Sequence, residues 1–250
     1  MKKANVIMII LGIIYIILSI YLVFIKKDNI VYLGDGTEVI VKNDDIKITK
    51  NNKLMNFKKA RILYNNEFID GYIRRKKDDT SGFNICEVLN EEKKKIIFSN
   101  GLIAYSGNLN IKVGNYLKYS ILTNTEKEKL MLVAEENNIS GSISEAYRYD
   151  FDIDGDKKEE SIYSFTIIEK SKINTLTFIN TQDDYEIIDI KKDDYSKPNC
   201  KRSWFYRFID FNNDDNYEIV LFQSNGDDSL GTYKIYQYIN KSVIEIKWKE

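Results

Sequence analysis

The sequence contains no histidine, and this absence narrows the chemistry open to the chain. It excludes hydrolases that use histidine as a general base, histidine-ligated zinc and copper sites, and histidine pH switches. The only two cysteines, Cys86 and Cys200, are too few for a cysteine-rich metal site, and no redox motif surrounds them. A disulfide in an oxidising compartment and two separate thiols both fit this pair.

Proline is also scarce, since Pro198 is the only one in 250 residues. Aromatic residues make up 13% of the chain and include 18 Tyr and 12 Phe. Such a chain has enough large apolar side chains to bury a core, and its composition is not that of a disordered protein. Its length suits one anchoring segment followed by one or two small domains.

Residues 5–25 form an uncharged run rich in Ile and Leu, with two lysines on each side. A helix of about 21 residues spans about 30 Å, which is the thickness of the hydrocarbon core of a bilayer. A cleaved signal peptide would have a shorter apolar run that ends in small residues. This run ends in Leu-Val-Phe-Ile instead. The sequence therefore predicts an uncleaved transmembrane anchor over residues 1–27.

The flanking charges predict the orientation of this anchor. The α-amino group and Asp28 favour an N-terminus inside the cell, which leaves residues 28–250 outside the cytoplasm. Without the four flanking lysines, the chain carries 33 basic and 38 acidic residues, a net charge of −5. Because nucleic-acid binding depends on Lys and Arg at the phosphates, we expect the membrane as a partner and no nucleic acid.

Residues 28–140 predict a β-rich domain that ends in a short helix. Short β-branched and aromatic segments alternate with turn residues, as is typical of antiparallel meanders. These segments are 38–42, 45–50, 59–64, 68–74, 83–89, 95–98, 102–105 and 109–113. Two overlapping capping boxes, Thr123 with Glu126 and Thr125 with Glu128, precede a helix predicted over residues 127–137. We expect a domain boundary near residue 140.

The C-terminal region, residues 141–250, contains a repeated acidic loop. Oxygen-bearing side chains occupy positions 1, 3, 5 and 9 of a nine-residue loop, and the same pattern recurs 58 positions later. The side chains are Asp152, Asp154, Asp156 and Glu160 in the first copy, and Asp210, Asn212, Asp214 and Glu218 in the second. Similar strand segments flank both loops. We therefore predict two four-stranded antiparallel units, over residues 146–191 and 204–249.

Calcium is the metal that this loop pattern favours. Calcium takes six to eight oxygen ligands, and alternate residues of a tight loop with a late carboxylate supply them. Three aspartates within five residues also repel one another, and a cation would relieve that repulsion. An acidic, solvated hairpin turn is the alternative, since Asp, Asn and Gly are ordinary turn residues. The first loop is the stronger candidate for calcium.

The loops and their flanking strands resemble the FG-GAP or VCBS-type repeats of integrin-like and bacterial surface proteins. The loop of that family reads roughly D-x-[DN]-G-D-G-x-x-[DE]. The resemblance covers the last hundred or so residues and implies blade-like β units with calcium-binding loops. The first family glycine is Gly155 in one copy and Asn213 in the other, and the second is Lys157 and Asp215. Because a non-glycine residue in the left-handed conformation costs roughly 1 kcal/mol, we expect a reshaped turn or weaker calcium binding.

These features together predict a mainly β protein that acts as a membrane-anchored, extracytoplasmic binding or interaction module of a bacterium. We expect calcium to stabilise it, no catalysis, and a protein or a cell-wall polymer as its partner. Two alternatives remain: a carboxylate-dependent hydrolase of cell-wall glycans, and an accessory or sensory subunit of a membrane complex. Two repeats do not close a propeller, which needs at least about four blades, and the sequence leaves the oligomeric state open.

Overall fold

The computed structural model describes residues 29–33, 37–42, 45–49, 58–64, 67–77, 84–95, 103–106, 109–120, 122–180, 184–194, 196, 200–224 and 231–247. The predicted anchor and the side chain of Cys86 lie outside these residues. Within them, no helix is long and apolar enough to cross a membrane. The described chain is mainly β, as predicted, and its strands form three antiparallel sheets.

The N-terminal sheet has seven strands in the order β3-β2-β1-β7-β4-β5-β6. The meanders β1–β3 and β4–β6 flank β7, which confirms the predicted antiparallel meanders. Their bounds are β1 (Asn29–Leu33), β2 (Glu38–Lys42), β3 (Asp45–Thr49), β4 (Lys58–Tyr64), β5 (Glu67–Lys77), β6 (Asn84–Asn90) and β7 (Ile103–Ser106). Of the segment predicted at 95–98, Lys95 forms an isolated bridge, and the rest lies outside the described residues.

Two five-stranded sheets follow, and each contains one acidic loop. The first repeat sheet contains β9 (Leu117–Tyr119), β10 (Ser142–Phe151), β11 (Glu160–Glu169), β12 (Lys172–Asn180) and β13 (Tyr185–Asp194). The second repeat sheet contains β8 (Lys112–Val113), β14 (Ser203–Asp210), β15 (Glu218–Ser224), β16 (Gly231–Ile239) and β17 (Ser242–Glu245). The predicted four strands occur in the predicted order in both sheets.

The prediction of only four strands per unit is wrong. The segment that contains β8 and β9 adds one edge strand to each repeat sheet, through the pairs Ile209 with Val113 and Tyr149 with Lys118. These added strands are two and three residues long. A period-2 pattern needs about four residues to stand out, so β9 leaves no signal in the sequence, while β8 is the end of the segment predicted at 109–113.

The second repeat sheet lies between the other two sheets. One of its faces, which includes Val220 and Ile235, packs on the N-terminal sheet. Its other face, which includes Ile219 and Leu221, packs on the first repeat sheet. Because both faces are buried, β15 is a continuous apolar run rather than an alternating strand. The layers therefore follow the order N-terminal sheet, second repeat sheet, first repeat sheet.

Helix α1 (Asn124–Glu136) forms a fourth layer on the outer face of the first repeat sheet. Its predicted capping box is confirmed: Glu126 N–H donates to Thr123 Oγ1 over 3.2 Å, and Thr123 N–H donates to Glu126 Oε2 over 2.7 Å. The helix begins three residues before the predicted start, and its buried Leu130 packs in the same cluster as Phe178. The domain boundary predicted near residue 140 would thus place α1, β8 and β9 in a different domain from the sheets that they contact.

Candidate metal-binding loops

The two acidic loops occupy equivalent corners of the repeat sheets. Loop 1 (residues 152–160) connects β10 to β11, and loop 2 (residues 210–218) connects β14 to β15. Position 2 of each loop is a large apolar residue, Ile153 in loop 1 and Phe211 in loop 2, and both side chains are fully buried. These two side chains anchor the loops to the cores on the two faces of the second repeat sheet.

The same hydrogen bonds close both loops. The glutamate at position 9 accepts the N–H of position 2, over 2.9 Å from Ile153 to Glu160 and 3.2 Å from Phe211 to Glu218. The aspartate at position 1 accepts the N–H of position 6, over 3.0 Å in loop 1 and 3.1 Å in loop 2. The carboxylates at positions 1 and 9 therefore organise the backbone of each loop in addition to any role as metal ligands.

The missing glycines do not reshape the turns. Positions 4 and 6 have positive φ in both loops: 75° at Gly155 and 71° at Lys157, and 62° at Asn213 and 67° at Asp215. The two loops thus share the left-handed conformation at both positions, although three of the four residues are not glycine. The expected reshaping is absent. The hydrogen bonds and the buried anchors outweigh a strain of roughly 1 kcal/mol at each non-glycine position.

Loop 1 brings three of its four predicted ligands together. Ligand oxygens of Asp152, Asp154 and Asp156 lie within 4.8 Å of one another. Asp152 Oδ1 is buried and accepts no hydrogen bond from the described residues. Glu160 is not in this group, and its Oε2 accepts the N–H of Ile153. A buried carboxylate oxygen without a donor is unfavourable unless a cation or a donor reaches it, so these side chains fit a hard cation such as calcium.

Loop 2 has the same backbone but a different charge balance. Lys112 of β8 forms an ion pair with Asp215, and its Nζ lies 3.7 Å from Asp210 Oδ2. The Asn212 amide donates to Asp214 Oδ2 over 2.9 Å. Its own oxygen, Oδ1, is buried and accepts no hydrogen bond from the part of the chain described. The acidic side chains of loop 2 do not form a group like that of loop 1.

Burial raises the pKa of the late glutamate in both loops. The pKa of Glu160 is raised mainly by burial, with repulsion from the loop 1 aspartates as a further cause. The pKa of Glu218 is raised to about 8, again mainly by burial, although the Phe211 N–H and the Gln237 amide favour the carboxylate. Burial also raises the pKa of Asp210. A bound cation would favour the ionised form of these groups and lower their pKa values.

The two loops touch each other. Tyr217 N–H of loop 2 donates to the Ile153 carbonyl of loop 1 over 2.9 Å, and the Tyr217 ring packs edge-on against Phe151 at 4.7 Å. Both loops therefore lie at the same end of the stacked repeat sheets. A change of charge in either loop acts in the immediate surroundings of the other.

Two features near the loops are not predicted from the sequence. Lys112 lies 103 positions from Asp215 in the chain, so no local pattern connects it to loop 2. The second feature is a cavity of about 570 Å³ that is lined by residues of both repeat sheets. Most of its aromatic residues lie in β10 and β14, the strands that enter the two loops, so the aromatic residues before each loop are the available signal in the sequence.

No protein-family model, curated protein or solved structure matches this chain. The likeness to FG-GAP or VCBS-type repeats therefore stays a prediction from the loop residues and the flanking strands.

Proposed function

We propose that this protein is a membrane-anchored, extracytoplasmic binding module of a bacterium, stabilised by calcium at loop 1 and without catalytic activity. The main support is the close group of Asp152, Asp154 and Asp156, in which one buried carboxylate oxygen accepts no hydrogen bond from the described residues. Within the proposal these side chains and Glu160 hold the ion. The ion neutralises the aspartates and ties the β10–β11 corner together.

The arrangement of the sheets supports a blade-like interpretation. The two repeat sheets have the same strand order, carry the same loop at the same corner and pack face to face. Neighbouring blades of a β-propeller also lie next to one another around the central channel. The N-terminal sheet packs on the opposite face of the second repeat sheet as a third layer. The FG-GAP or VCBS-like repeat is therefore retained in the proposal as the unit of the binding module.

The location rests on the apolar run of residues 5–25. In the proposal this run is a single-pass anchor in the cell membrane, and the three sheets lie outside the cytoplasm. The partner is a protein or a cell-wall polymer at that surface. A site of this kind outside the cell binds calcium weakly, with a dissociation constant of ~10⁻⁴–10⁻³ M.

Binding is favoured over glycan hydrolysis by the residues of the cavity. A glycoside hydrolase places two carboxylates about 5–10 Å apart around the scissile bond. Among the lining residues described, Glu145 is the single carboxylate. The acidic residues that the sequence predicts as metal ligands lie in the two loops, where they organise the backbone.

Thermal unfolding of the full-length chain in mild detergent tests the calcium proposal. At ten times the dissociation constant, calcium should add about 1.4 kcal/mol of stability relative to chelator. The Asp154→Asn/Asp156→Asn variant should lose this increase, while Asp214→Asn in loop 2 should keep it. No increase at millimolar calcium, or an equal increase in the loop 1 variant, would refute the proposed site. Protease digestion of intact cells tests the location, because an external C-terminal part should be cleaved without lysis.

A further inference from the structure

The cavity between the two repeat sheets has the size and the position of a ligand site. Its volume is about 570 Å³, within the ~300–1,000 Å³ typical of small-molecule sites. Its walls come from β9 and β10 on one side and from β14 on the other. Residues of β11 and β12 also line it, and Tyr116 and Arg202 lie immediately before β9 and β14. The two sheets are joined behind it by buried hydrogen bonds, from Ser203 N–H to Thr175 Oγ1 over 3.0 Å and from Phe205 N–H to Ser164 Oγ over 3.3 Å.

Aromatic side chains form much of the wall and hold one another in place. The Tyr116 ring packs edge-on against Tyr149 at 5.6 Å and against Phe205 at 5.2 Å. Tyr147 and Trp204 extend this aromatic surface on the two sides. Rings packed in this way lose little freedom when a ligand binds, so they offer a preformed apolar surface with polar tips.

Cations line the same cavity. The Lys118 ammonium lies 4.1 Å from the centre of the Tyr147 ring, and the Arg207 guanidinium lies 6.0 Å from the centre of the Tyr116 ring. Arg202 is the third lining cation, against Glu145 as the one lining carboxylate. Neither Lys118 nor Arg207 forms an ion pair with a carboxylate of the described residues. The cavity is therefore positive, on a chain whose net charge is −1.

Neutral hydroxyl groups complete the lining. Ser164, Thr166, Thr175 and Ser203 all line the cavity. The side chain of Ser203 is 3% exposed, and its Oγ has no hydrogen-bond partner among the described residues. An unpaired buried hydroxyl costs free energy unless a donor or an acceptor reaches it. Because this oxygen is closed to solvent, the Ser203 hydroxyl belongs to the inner wall of the cavity and not to the surface that a ligand touches.

We infer that this cavity binds an acidic saccharide, a sugar that carries a carboxylate or a phosphate. The aromatic surface packs against the apolar C–H face of a sugar ring. Among the serine and threonine hydroxyls of the lining, that of the half-buried Thr166 is available to the hydroxyl groups of the sugar. The cations Lys118, Arg202 and Arg207 face its acidic group. The inference specifies the ligand of the proposed binding module, and it rests on that proposal only for the expectation of binding without turnover.

Trp204 makes the inference directly measurable. The full-length chain in mild detergent is titrated with trigalacturonate, and both tryptophan fluorescence and the heat of binding are recorded. Trigalacturonate should change the fluorescence, and Trp204→Phe should abolish that change. Maltotriose, a neutral sugar of the same length, should bind at least about tenfold more weakly, and high salt should weaken the binding of the acidic sugar.

Charge variants test the role of the cations. Arg207→Gln and Lys118→Gln should each weaken trigalacturonate binding roughly tenfold. Lys172→Gln is the matched control. Lys172 is exposed on β12 of the first repeat sheet, which also contains Lys118, and it does not line the cavity. Lys118 is itself exposed, so its variant should fold even if Arg207→Gln does not.

Three results would overturn the inference. Equal binding of trigalacturonate and maltotriose would remove the role of charge. Binding of inorganic phosphate as tight as that of the sugar would reduce the site to an anion site, and tighter binding of adenosine monophosphate would assign it to nucleotides. The calcium proposal is tested separately from the sugar inference, because the loop 1 variant changes the response to calcium and leaves Trp204 in place. A lost calcium response with intact sugar binding would refute the calcium proposal alone.

Discussion

Loops 1 and 2 have the same backbone and differ in how their charge is balanced. Both close through the same two hydrogen bonds, and both adopt positive φ at positions 4 and 6. In loop 1 three aspartates converge, whereas in loop 2 an amide replaces one of them and Lys112 supplies an ammonium group. The shape of the corner therefore does not depend on the charge balance. Under the calcium proposal, the charge balance determines which loop holds the ion.

Each loop motif combines residues that shape the corner with residues that could hold a metal. Positions 1, 2 and 9 build the corner, since two of them accept backbone N–H groups and the third is fully buried. The side chains at positions 3 and 5 accept backbone N–H groups only from two residues ahead within the loop, and in loop 1 they also converge on position 1. A loop can thus lose its metal and keep its structural role, which is the state that we propose for loop 2.

The largest effect should follow from removing the buried anchors. Phe211→Ala should destabilise the protein by about 3–5 kcal/mol and Ile153→Ala by about 2–5 kcal/mol, because each leaves a cavity in a packed core. Urea unfolding with and without calcium measures both values. Calcium should not restore the loss if the anchor rather than the metal shapes the corner. Glu159→Ala, at an exposed position of loop 1, is the control and should stay within about 0.5 kcal/mol.

The next effect concerns pH and the late glutamate of loop 2. The pKa of Glu218 is raised from 4.5 to about 8 in the folded chain, so the folded state keeps a proton that the unfolded state has lost between these values. The contribution of Glu218 to the free energy of unfolding is therefore fully present below about pH 4.5. It falls by on the order of a few kcal/mol as the pH rises toward 8. Glu218→Gln, which cannot ionise, should flatten this dependence in chelator.

Thermal unfolding across this pH range gives the comparison between the loops. Burial raises the pKa of Glu160 in the same direction, but Glu160 is only half-buried, so Glu160→Gln should flatten the curve less than Glu218→Gln. Parallel curves for the parent and Glu218→Gln would show that this carboxyl does not hold its proton. Equal effects of the two variants would show that burial does not distinguish the loops.

Much of the repeat could be predicted because its signals are local. The spacing of loop positions 1, 3, 5 and 9, the flanking strands and the capping box at Thr123 each depend on fewer than about ten neighbouring residues. The structure has these strands and this cap where they were expected. The predicted ligands Asp152, Asp154 and Asp156 also come together, while Glu160 closes the loop instead.

The remainder depends on contacts that are distant in the chain. The edge strand β9 is too short for a pattern. No local signal pairs β8 with β14, and Lys112 reaches loop 2 only through that pairing. The cavity exists only once β10 and β14 face each other. The positive φ of Lys157 could not be foreseen from its residue type, since its N–H donates to Asp152 within the loop and this hydrogen bond outweighs the local preference.

Removing Lys112 should make loop 2 resemble loop 1. Lys112→Gln leaves Asp210 and Asp215 without their ammonium partner, so the variant should melt at a lower temperature than the parent in chelator. Calcium should raise the melting temperature of the variant more than that of the parent, because Asn212 Oδ1 and the freed carboxylates become available to the ion. Lys172→Gln is the control for loss of a lysine. An unchanged response to calcium would show that loop 2 lacks a metal site for reasons other than Lys112.

The smallest effect should come from restoring the glycine that loop 1 lacks at position 6. Lys157 has φ of 71°, which glycine adopts without strain, so Lys157→Gly should relieve roughly 1 kcal/mol. Part of this gain is lost because glycine is more flexible in the unfolded chain, which leaves a net stabilisation of about 0.5 kcal/mol. Lys158→Gly is a matched control: the same residue type, one position later and without positive φ, should be destabilised by the same substitution. Urea unfolding in chelator distinguishes the two signs, and a loss of stability in both variants would show that the left-handed turn at Lys157 carries no strain.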